Sequence, residues 1–168
     1  MKILFLGDIV GPSGCMVVKK HLKKIVEENK INFVIANGEN AAHNGVGITK
    51  DVLDNLIKFG VNVLTTGNHV WDHKETLKLV EDDNRLLRPF NLIGISPGKG
   101  FEIYQTSKNF KIGVLNLMGN VFMRKSEDVF KTAENFQKKY QLKKDYDFLV
   151  VDLHLSLIHI SEPTRHKT

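Results

Sequence analysis

One cysteine, Cys15, is all that the 168-residue chain contains. A lone thiol cannot form an internal disulfide, which excludes a disulfide-stabilised secreted domain and favours a reducing compartment. Long apolar runs are also missing, since none approaches the roughly 18 residues of a membrane span. The first eleven residues lack the longer apolar stretch and the small-residue cleavage site of a signal peptide. These absences predict a cytoplasmic protein with no membrane partner.

Strong charge asymmetry is absent as well. The net charge is +5, but the lysines are dispersed on two helical segments, "KKHLKK" and "QKKYQLKK". The aromatic interleaving that is typical of single-strand nucleic-acid binding does not accompany them. We therefore expect solvated helix surfaces and no specific nucleic-acid patch. An apolar fraction of 42 % predicts a globular chain with one core.

Apolar strand-like runs alternate with helical patterns along the chain, which is typical of an α/β protein with a largely parallel sheet. The predicted helices cover the segment after Pro12, the segment after Thr49 up to Gly60, residues 73–80 and residues 127–140. The predicted strands are "KILFL", "NFVIANGEN", "VNVLTTGN", "NLIGI", "FEIYQ", "KIGVLNLM" and "DFLVVDLH".

Polar side chains with complementary chemistry follow four of these strands. They are Asp8, Glu39 with Asn40, Asn68 with His69, and Asp152 with His154. In open α/β sheets the ligand site lies beyond the carboxyl ends of the strands. Carboxylate, amide and imidazole groups together are a ligand set for a metal such as Fe, Mn, Zn or Ni. Asp and Asn also favour turns after strands without any ligand, but four such endings together favour a metal site.

Two further features leave alternatives open, and a third bears on a helix start. The "GDIVGPSG" turn could serve a non-catalytic nucleotide-binding or regulatory module, although it matches neither GxGxxG nor a P-loop. His43 lies in the loop after Glu39 and is either a contact to substrate or ligands or an ordinary surface histidine. Asp72 is expected to cap a helix that begins at His73.

A set of motifs occurs in order along residues 1–154, and together they closely resemble the YmdB-type metallophosphoesterases of the calcineurin-like superfamily. The superfamily usually opens with Asp-x-His, whereas Val10 occupies the position of that histidine here, as in this branch. The motifs are "GDIVG", "NGENAAHNGVGIT", "TTGNHVWDHKE", "LLRPFN", "PGKG" and "VVDLH".

The resemblance implies a calcineurin-like αββα sandwich and a phosphodiesterase that cleaves cyclic nucleotides at a binuclear metal centre. Asp8 and Asn40 then resemble ligands of one ion, and Glu39 resembles the carboxylate that bridges both ions. Asn68 and His154 resemble ligands of the second ion. His69 resembles the general acid that protonates the leaving oxygen.

The resemblance also implies two divalent or trivalent ions, with iron or manganese expected, and a small phosphodiester as the partner. It leaves the oligomeric state open, a homo-oligomer included. The family continues past the last motif, whereas residues 155–168 read "LSLIHISEPTRHKT", which resembles a translated sequencing adapter. We therefore expect residues 1–154 to be the N-terminal portion of one metallophosphoesterase domain, residues 155–168 to be a non-native tail, and the chain as written to be inactive.

Overall fold

The structure is a computed structural model that describes residues 1–94, 96–106, 108–120 and 126–155. Over these ranges the chain forms two β-sheets with helices on their outer faces. The described helices are α1 (Gly11–Asn29), α2 (Lys50–Phe59), α3 (Thr76–Asp82) and α4 (Val129–Lys139). The described strands are β1 (Ile3–Asp8), β2 (Phe33–Asn37), β3 (Val63–Thr65), β4 (Leu86–Leu87), β5 (Phe101–Gln105), β6 (Lys111–Met118) and β7 (Phe148–His154).

The first sheet consists of four parallel strands in the order β1-β2-β3-β4. Its outer face is covered by α1, α2 and α3, which bury Leu22, Leu56 and Leu79 against Val34 and Leu64 of the strands. Because the strands are parallel, all four of their carboxyl ends lie at the same edge of the sheet.

The second sheet has the order β5-β6-β7, with β5 antiparallel to β6 and β6 parallel to β7. Helix α4 covers its outer face, where the Phe136 ring lies 4.7 Å from the Phe101 ring, centroid to centroid. The predicted αββα sandwich is therefore confirmed. The expectation of largely parallel pairing is confirmed as well, since β5–β6 is the one antiparallel pairing among the named strands of the described residues.

An apolar layer and one amide join the two sheets. The layer contains Phe33, Ile35, Val63 and Leu87 from the first sheet and Ile112 and Val114 from the second. Beside it, buried Asn116 of β6 donates its Nδ2 to the carbonyl oxygens of Thr66 (2.8 Å) and Leu87 (3.1 Å). These bonds fix β6 to the carboxyl edge of the first sheet. Asp152 and His154 pair in register with Asn116 and Met118.

Two local predictions, a helix cap and a strand, differ from the structure. Helix α3 begins at Thr76 with Glu75 in the N-cap position, so the expected cap at Asp72 is wrong. The Asp72 carboxylate contacts the His69 imidazole instead. The strand predicted at "NLIGI" is wrong over residues 91–94, where Leu92 makes only an isolated bridge.

No helix within the described ranges combines the length and the apolar content that crossing a membrane requires. The described residues end at Leu155, so the prediction of a non-native tail at 155–168 falls outside them apart from that first residue.

Candidate metal centre

The polar strand ends of the first sheet stand side by side. Asp8 at the end of β1 pairs in register with Asn37 at the end of β2, and Asn37 pairs with Thr65 at the end of β3. The chain then continues from β2 into Gly38 and Glu39, and the Gly38 N–H donates to the Thr65 carbonyl (2.9 Å). The turn after β2 is therefore held beside the turn after β3.

Three potential ligand atoms converge at this edge. His154 Nε2 lies 2.6 Å from Glu39 Oε2 and 3.1 Å from Asn68 Oδ1. Glu39 is buried, with 1 % of its side chain exposed, and His154 is 13 % exposed. The first sheet supplies Glu39 and Asn68 and the second supplies His154, so the trio depends on the packing of the two sheets. The structure thus brings together three of the five residues that the resemblance implies as ligands.

Gly67 makes this convergence sterically feasible. A Cβ atom at position 67 would lie 2.2 Å from Glu39 Oε2 and 2.5 Å from His154 Cδ2, far below any normal contact distance. The carboxylate and the imidazole therefore pack directly against the glycine backbone. Any larger residue would push at least one of these two side chains away.

The Glu39 carboxylate is fixed at one oxygen and poorly satisfied at the other. Its Oε1 accepts a hydrogen bond from the His69 backbone N–H (2.9 Å), and its own backbone N–H donates to Asn37 Oδ1 (3.0 Å). Oε2 has no well-aligned hydrogen-bond donor among the described residues, although it contacts His154 Nε2. A buried carboxylate oxygen without a good donor is costly. That cost would be offset by a cation.

Asn37, Thr65 and Asp152 support the centre. The sequence analysis named Asp152 among the polar strand ends, but none of the three was predicted as a ligand. Asn37 Nδ2 (2.9 Å) and Thr65 Oγ1 (2.5 Å) both donate to Asp152 Oδ2. Through these bonds the end of β7 is attached to β2 and β3, two residues before His154. Asn37 is the last residue of β2 and Thr65 is the last residue of β3, so the rule that strand ends form the site could have found both.

The charges at this edge favour a cation. Burial raises the pKa of Asp8, the positive charge of His154 opposes that rise, and the negative charges of Glu39 and Asp152 add to it. Burial by itself lowers the pKa of His154, but contact with the Glu39 carboxylate and the charges of Glu39, Asp8 and Asp152 together raise it above the usual value. Three carboxylates therefore act on one imidazole, and Asp8 belongs to the same electrostatic cluster as the trio.

The side chains of the other predicted residues, Asn40, His69 and His43, have neighbours outside the trio. Asn40 donates its Nδ2 to the Gly45 carbonyl (2.8 Å), which orders the loop that follows Glu39. The His69 ring is 37 % exposed, and its Nδ1 lies 2.6 Å from Asp72 Oδ2. His43 is exposed and lines a groove of about 290 Å³ between α1 and α2, together with Cys15 and others.

Glu39, Asn68 and His154 offer three donor atoms whose spacing can be compared with that of metal ligands. Within the described part of the chain, no group of three or more His, Cys, Asp or Glu side chains is arranged to hold an ion. The convergent trio contains two such side chains, Glu39 and His154, and its third donor is the amide oxygen of Asn68. Two ligands of one ion with bonds of about 2.1 Å lie roughly 3.4 Å apart in tetrahedral geometry. The distances from His154 Nε2 to Glu39 Oε2 (2.6 Å) and to Asn68 Oδ1 (3.1 Å) would have to lengthen by less than about 1 Å to meet this spacing, so the chemistry of these donors is compatible with an ion.

The first turn does not form a phosphate cradle. The backbone N–H groups of Ile9 and Gly11 donate to the carbonyls of Asn37 (2.9 Å) and Asn40 (2.8 Å), and that of Gly14 donates to Val10 (3.0 Å). A cradle needs such groups to point at a ligand. The alternative of a nucleotide-binding module at "GDIVGPSG" therefore gains no support.

Comparison with known families decides the relationship. A family model described as YmdB-like protein matches residues 4–158. The chain belongs to the YmdB-like protein family. A relative from Bacillus subtilis strain 168 is named 2',3'-cyclic-nucleotide 2'-phosphodiesterase. It is 38 % identical over 154 residues, which are 92 % of this chain and 57 % of the relative.

Solved structures agree with the YmdB-like assignment. A hypothetical protein from Thermus thermophilus superposes with a TM-score of 0.82 at 33 % identity, covering 92 % of this chain and 58 % of that one. A protein described as a novel phosphatase from Mycoplasma pneumoniae superposes with a TM-score of 0.82 at 32 % identity, covering 92 % and 55 %. The chain spans little more than half the length of the relatives that it matches.

Proposed function

We propose that this YmdB-like chain contributes the centre of a metal-dependent phosphodiesterase that hydrolyses cyclic nucleotides. The observation that supports it best is the convergence of Glu39 Oε2, Asn68 Oδ1 and His154 Nε2, packed without a spacer against Gly67. A buried carboxylate, an amide oxygen and an imidazole nitrogen are together unusual for a purely structural contact and are typical ligands of Mn or Fe.

Two ions would be held by the residues at the strand ends. Asp8 and Asn40 would bind one ion, Asn68 and His154 the other, and Glu39 both. When bound, the ions would supply a hydroxide near neutral pH and neutralise charge on the phosphoryl oxygens. The chain's own contribution is to hold these donors in place. Hydrogen bonds from Asn37 and Thr65 of the first sheet to Asp152 of the second serve that purpose.

His69 would protonate the departing ribose oxygen. Its Nδ1 is engaged by the Asp72 carboxylate at 2.6 Å, so the proton would leave from Nε2. The hydrogen bond from its backbone N–H to Glu39 Oε1 (2.9 Å) supports this role, because it joins residue 69 to the proposed bridging carboxylate. A positioned general acid of this kind contributes about 10²–10⁴-fold to turnover.

The proposed substrate class is the 2',3'-cyclic nucleotides. The support is the name of the Bacillus subtilis relative, 38 % identical to this chain. A 2',3'-cyclic phosphodiester has an alkoxide-like leaving group, and this is the case in which a general acid matters most. The cytoplasmic location, iron or manganese as the metal, a substrate contact by His43 and a homo-oligomeric state stay predictions.

The test is hydrolysis of a 2',3'-cyclic nucleotide by a version of the protein that matches its relatives in length, stripped of metal and reloaded with Mn²⁺. We expect Glu39→Gln, which removes the charge and keeps the shape, to lose both bound Mn²⁺ and turnover. His21→Ala, an exposed change on α1, is the matched control and should behave as the unchanged protein. Full turnover in Glu39→Gln would overturn the proposal.

A further inference from the structure

The loop after Glu39 and the turn after β3 are joined at three points. At the first, the His69 N–H donates to Glu39 Oε1 (2.9 Å). At the second, His73 Nε2 donates to the Val46 carbonyl (2.8 Å). At the third, buried Thr76 donates its Oγ1 to the Ile48 carbonyl (2.9 Å). The three contacts run in the same order along both segments, so they form a ladder between residues 39–48 and 69–76.

His73 makes the middle contact of this ladder in two ways. Its Nε2 bonds to the Val46 carbonyl, and its ring carbon Cδ2 packs against Gly47. A Cβ atom on Gly47 would lie 2.7 Å from His73 Cδ2 and 3.1 Å from the His69 carbonyl oxygen. Gly47 also has a φ of +72°, which a residue with a side chain rarely adopts. The loop therefore presses its bare backbone against His73 and against the backbone of His69 at the same time.

The ladder determines where the proposed site residues sit. Glu39 and Asn40 begin one segment, and Asn68 and His69 lie at the start of the other. The loop itself is closed by internal hydrogen bonds between Ala42 and Gly47 (2.9 Å) and between Asn40 and Gly45 (2.8 Å). The His73 bond to the Val46 carbonyl attaches this closed loop to the turn after β3, between the two outer contacts of the ladder.

We propose that His73 is a positioning residue, which holds the 40–48 loop against the Asn68–His69 turn and so keeps Glu39 and Asn40 in register with them. The proposal deepens the proposed function and rests on it for its consequence in metal binding. His73 is not itself a ligand in this scheme, because its Nε2 proton is directed at a backbone carbonyl. Partners that orient ligands in this way typically change metal affinity or activity 10–100-fold when they are lost.

The experiment compares His73→Ala, His73→Gln and His21→Ala in the 168-residue chain. Amide hydrogen exchange is measured for the 40–48 loop and for β2, and Mn²⁺ affinity is measured by titration. Glutamine retains a side-chain N–H that can reach the Val46 carbonyl, whereas alanine does not. His21 is an exposed histidine on α1, so its removal controls for loss of an imidazole.

We expect His73→Ala to exchange the loop amides roughly 3- to 10-fold faster, the range expected for one lost hydrogen bond, with unchanged exchange in β2. His73→Gln should recover most of this protection, and His21→Ala should change nothing. Mn²⁺ affinity should fall about 10-fold or more in His73→Ala.

Two results would overturn the inference. One is loop exchange in His73→Ala equal to that of the unchanged chain. The other is equal acceleration in the loop and in β2, which would mean general destabilisation rather than positioning. A third result separates the two proposals. If the 40–48 loop exchanges faster in His73→Ala as expected, but Mn²⁺ binds neither to the unchanged chain nor to any variant, the positioning role stands and the proposed metal function fails.

Discussion

The substitution Gly67→Ala adds one methyl group at the point where Glu39 and His154 meet. The new Cβ would lie 2.2 Å from Glu39 Oε2, 2.5 Å from Glu39 Cδ and 2.5 Å from His154 Cδ2. Gly67 is not among the residues with positive φ, so alanine causes no backbone strain of its own. The effect of the substitution is therefore steric and confined to the candidate centre.

The size of the effect follows from these distances. To reach even 3.0 Å, the carboxylate oxygen and the methyl group must separate by about 0.8 Å. Overpacking of a buried site costs about 1–3 kcal/mol of stability, and a misplacement of about 1 Å at a reacting centre can cost about 10²-fold in rate. We expect a loss of about 1–3 kcal/mol in the free energy of unfolding, together with loss of Mn²⁺ binding.

Urea denaturation and Mn²⁺ titration of Gly67→Ala measure these two effects. Gly7→Ala is the matched control, because a Cβ there would meet nothing within 4 Å and Gly7 has no positive φ. The control should keep its stability to within about 0.5 kcal/mol. Unchanged stability and unchanged Mn²⁺ binding in Gly67→Ala would refute the geometry on which the candidate centre rests.

Three other predictions concern the acid, a surface ion pair and the tail. In a protein of full family length, His69→Ala should keep its metal but lose about 10²–10⁴-fold in turnover of a cyclic nucleotide. The loss should be much smaller with a nitrophenyl ester, and equal losses with both substrates would contradict the role of His69 as general acid. Hydrogen bonds from Arg85 hold the pKa of Asp83 below its usual value of 3.8. The contribution of the Asp83–Arg85 pair to stability should therefore be present above pH 3.8 and be lost as the pH falls through the lowered pKa of Asp83 in the folded protein. Asp83→Asn should abolish this pH dependence in urea titrations. Deleting residues 156–168 should leave the urea midpoint unchanged, and a clear fall would show that the tail packs on the fold.

Much of the candidate centre could be predicted because it obeys a topological rule. Parallel strands bring their carboxyl ends to one edge, so Asp8, Glu39 and Asn68 were expected to lie together from their positions after β1, β2 and β3. His154 was expected there as well, although it belongs to the other sheet. The strand-end pattern carries no information on which atoms touch, and the direct contact between Glu39 and His154 was visible only in the structure.

The features that could not be predicted depend on tertiary contacts. Strand β4 has two residues, Leu86 and Leu87, too few for a period to be recognised. Within the predicted helix at 127–140, Phe130 is 80 % exposed whereas Phe136 is buried and packs against Phe101. The Asp72 side chain has the chemistry of a helix cap, yet a histidine three residues earlier competes for it. For Asp72, a contact with a neighbouring side chain therefore overrides the local preference for a helix cap.

The central claim is that Glu39, Asn68 and His154 bind a metal ion together. The most direct measurement is a crystal of the 168-residue chain soaked in millimolar Mn²⁺, with anomalous scattering used to locate the metal. We predict an anomalous peak in bonding contact with Glu39 Oε2, Asn68 Oδ1 and His154 Nε2, and no peak there in Glu39→Gln. A soaked crystal with no peak at this position, in which His154 Nε2 stays 2.6 Å from Glu39 Oε2, would contradict the claim.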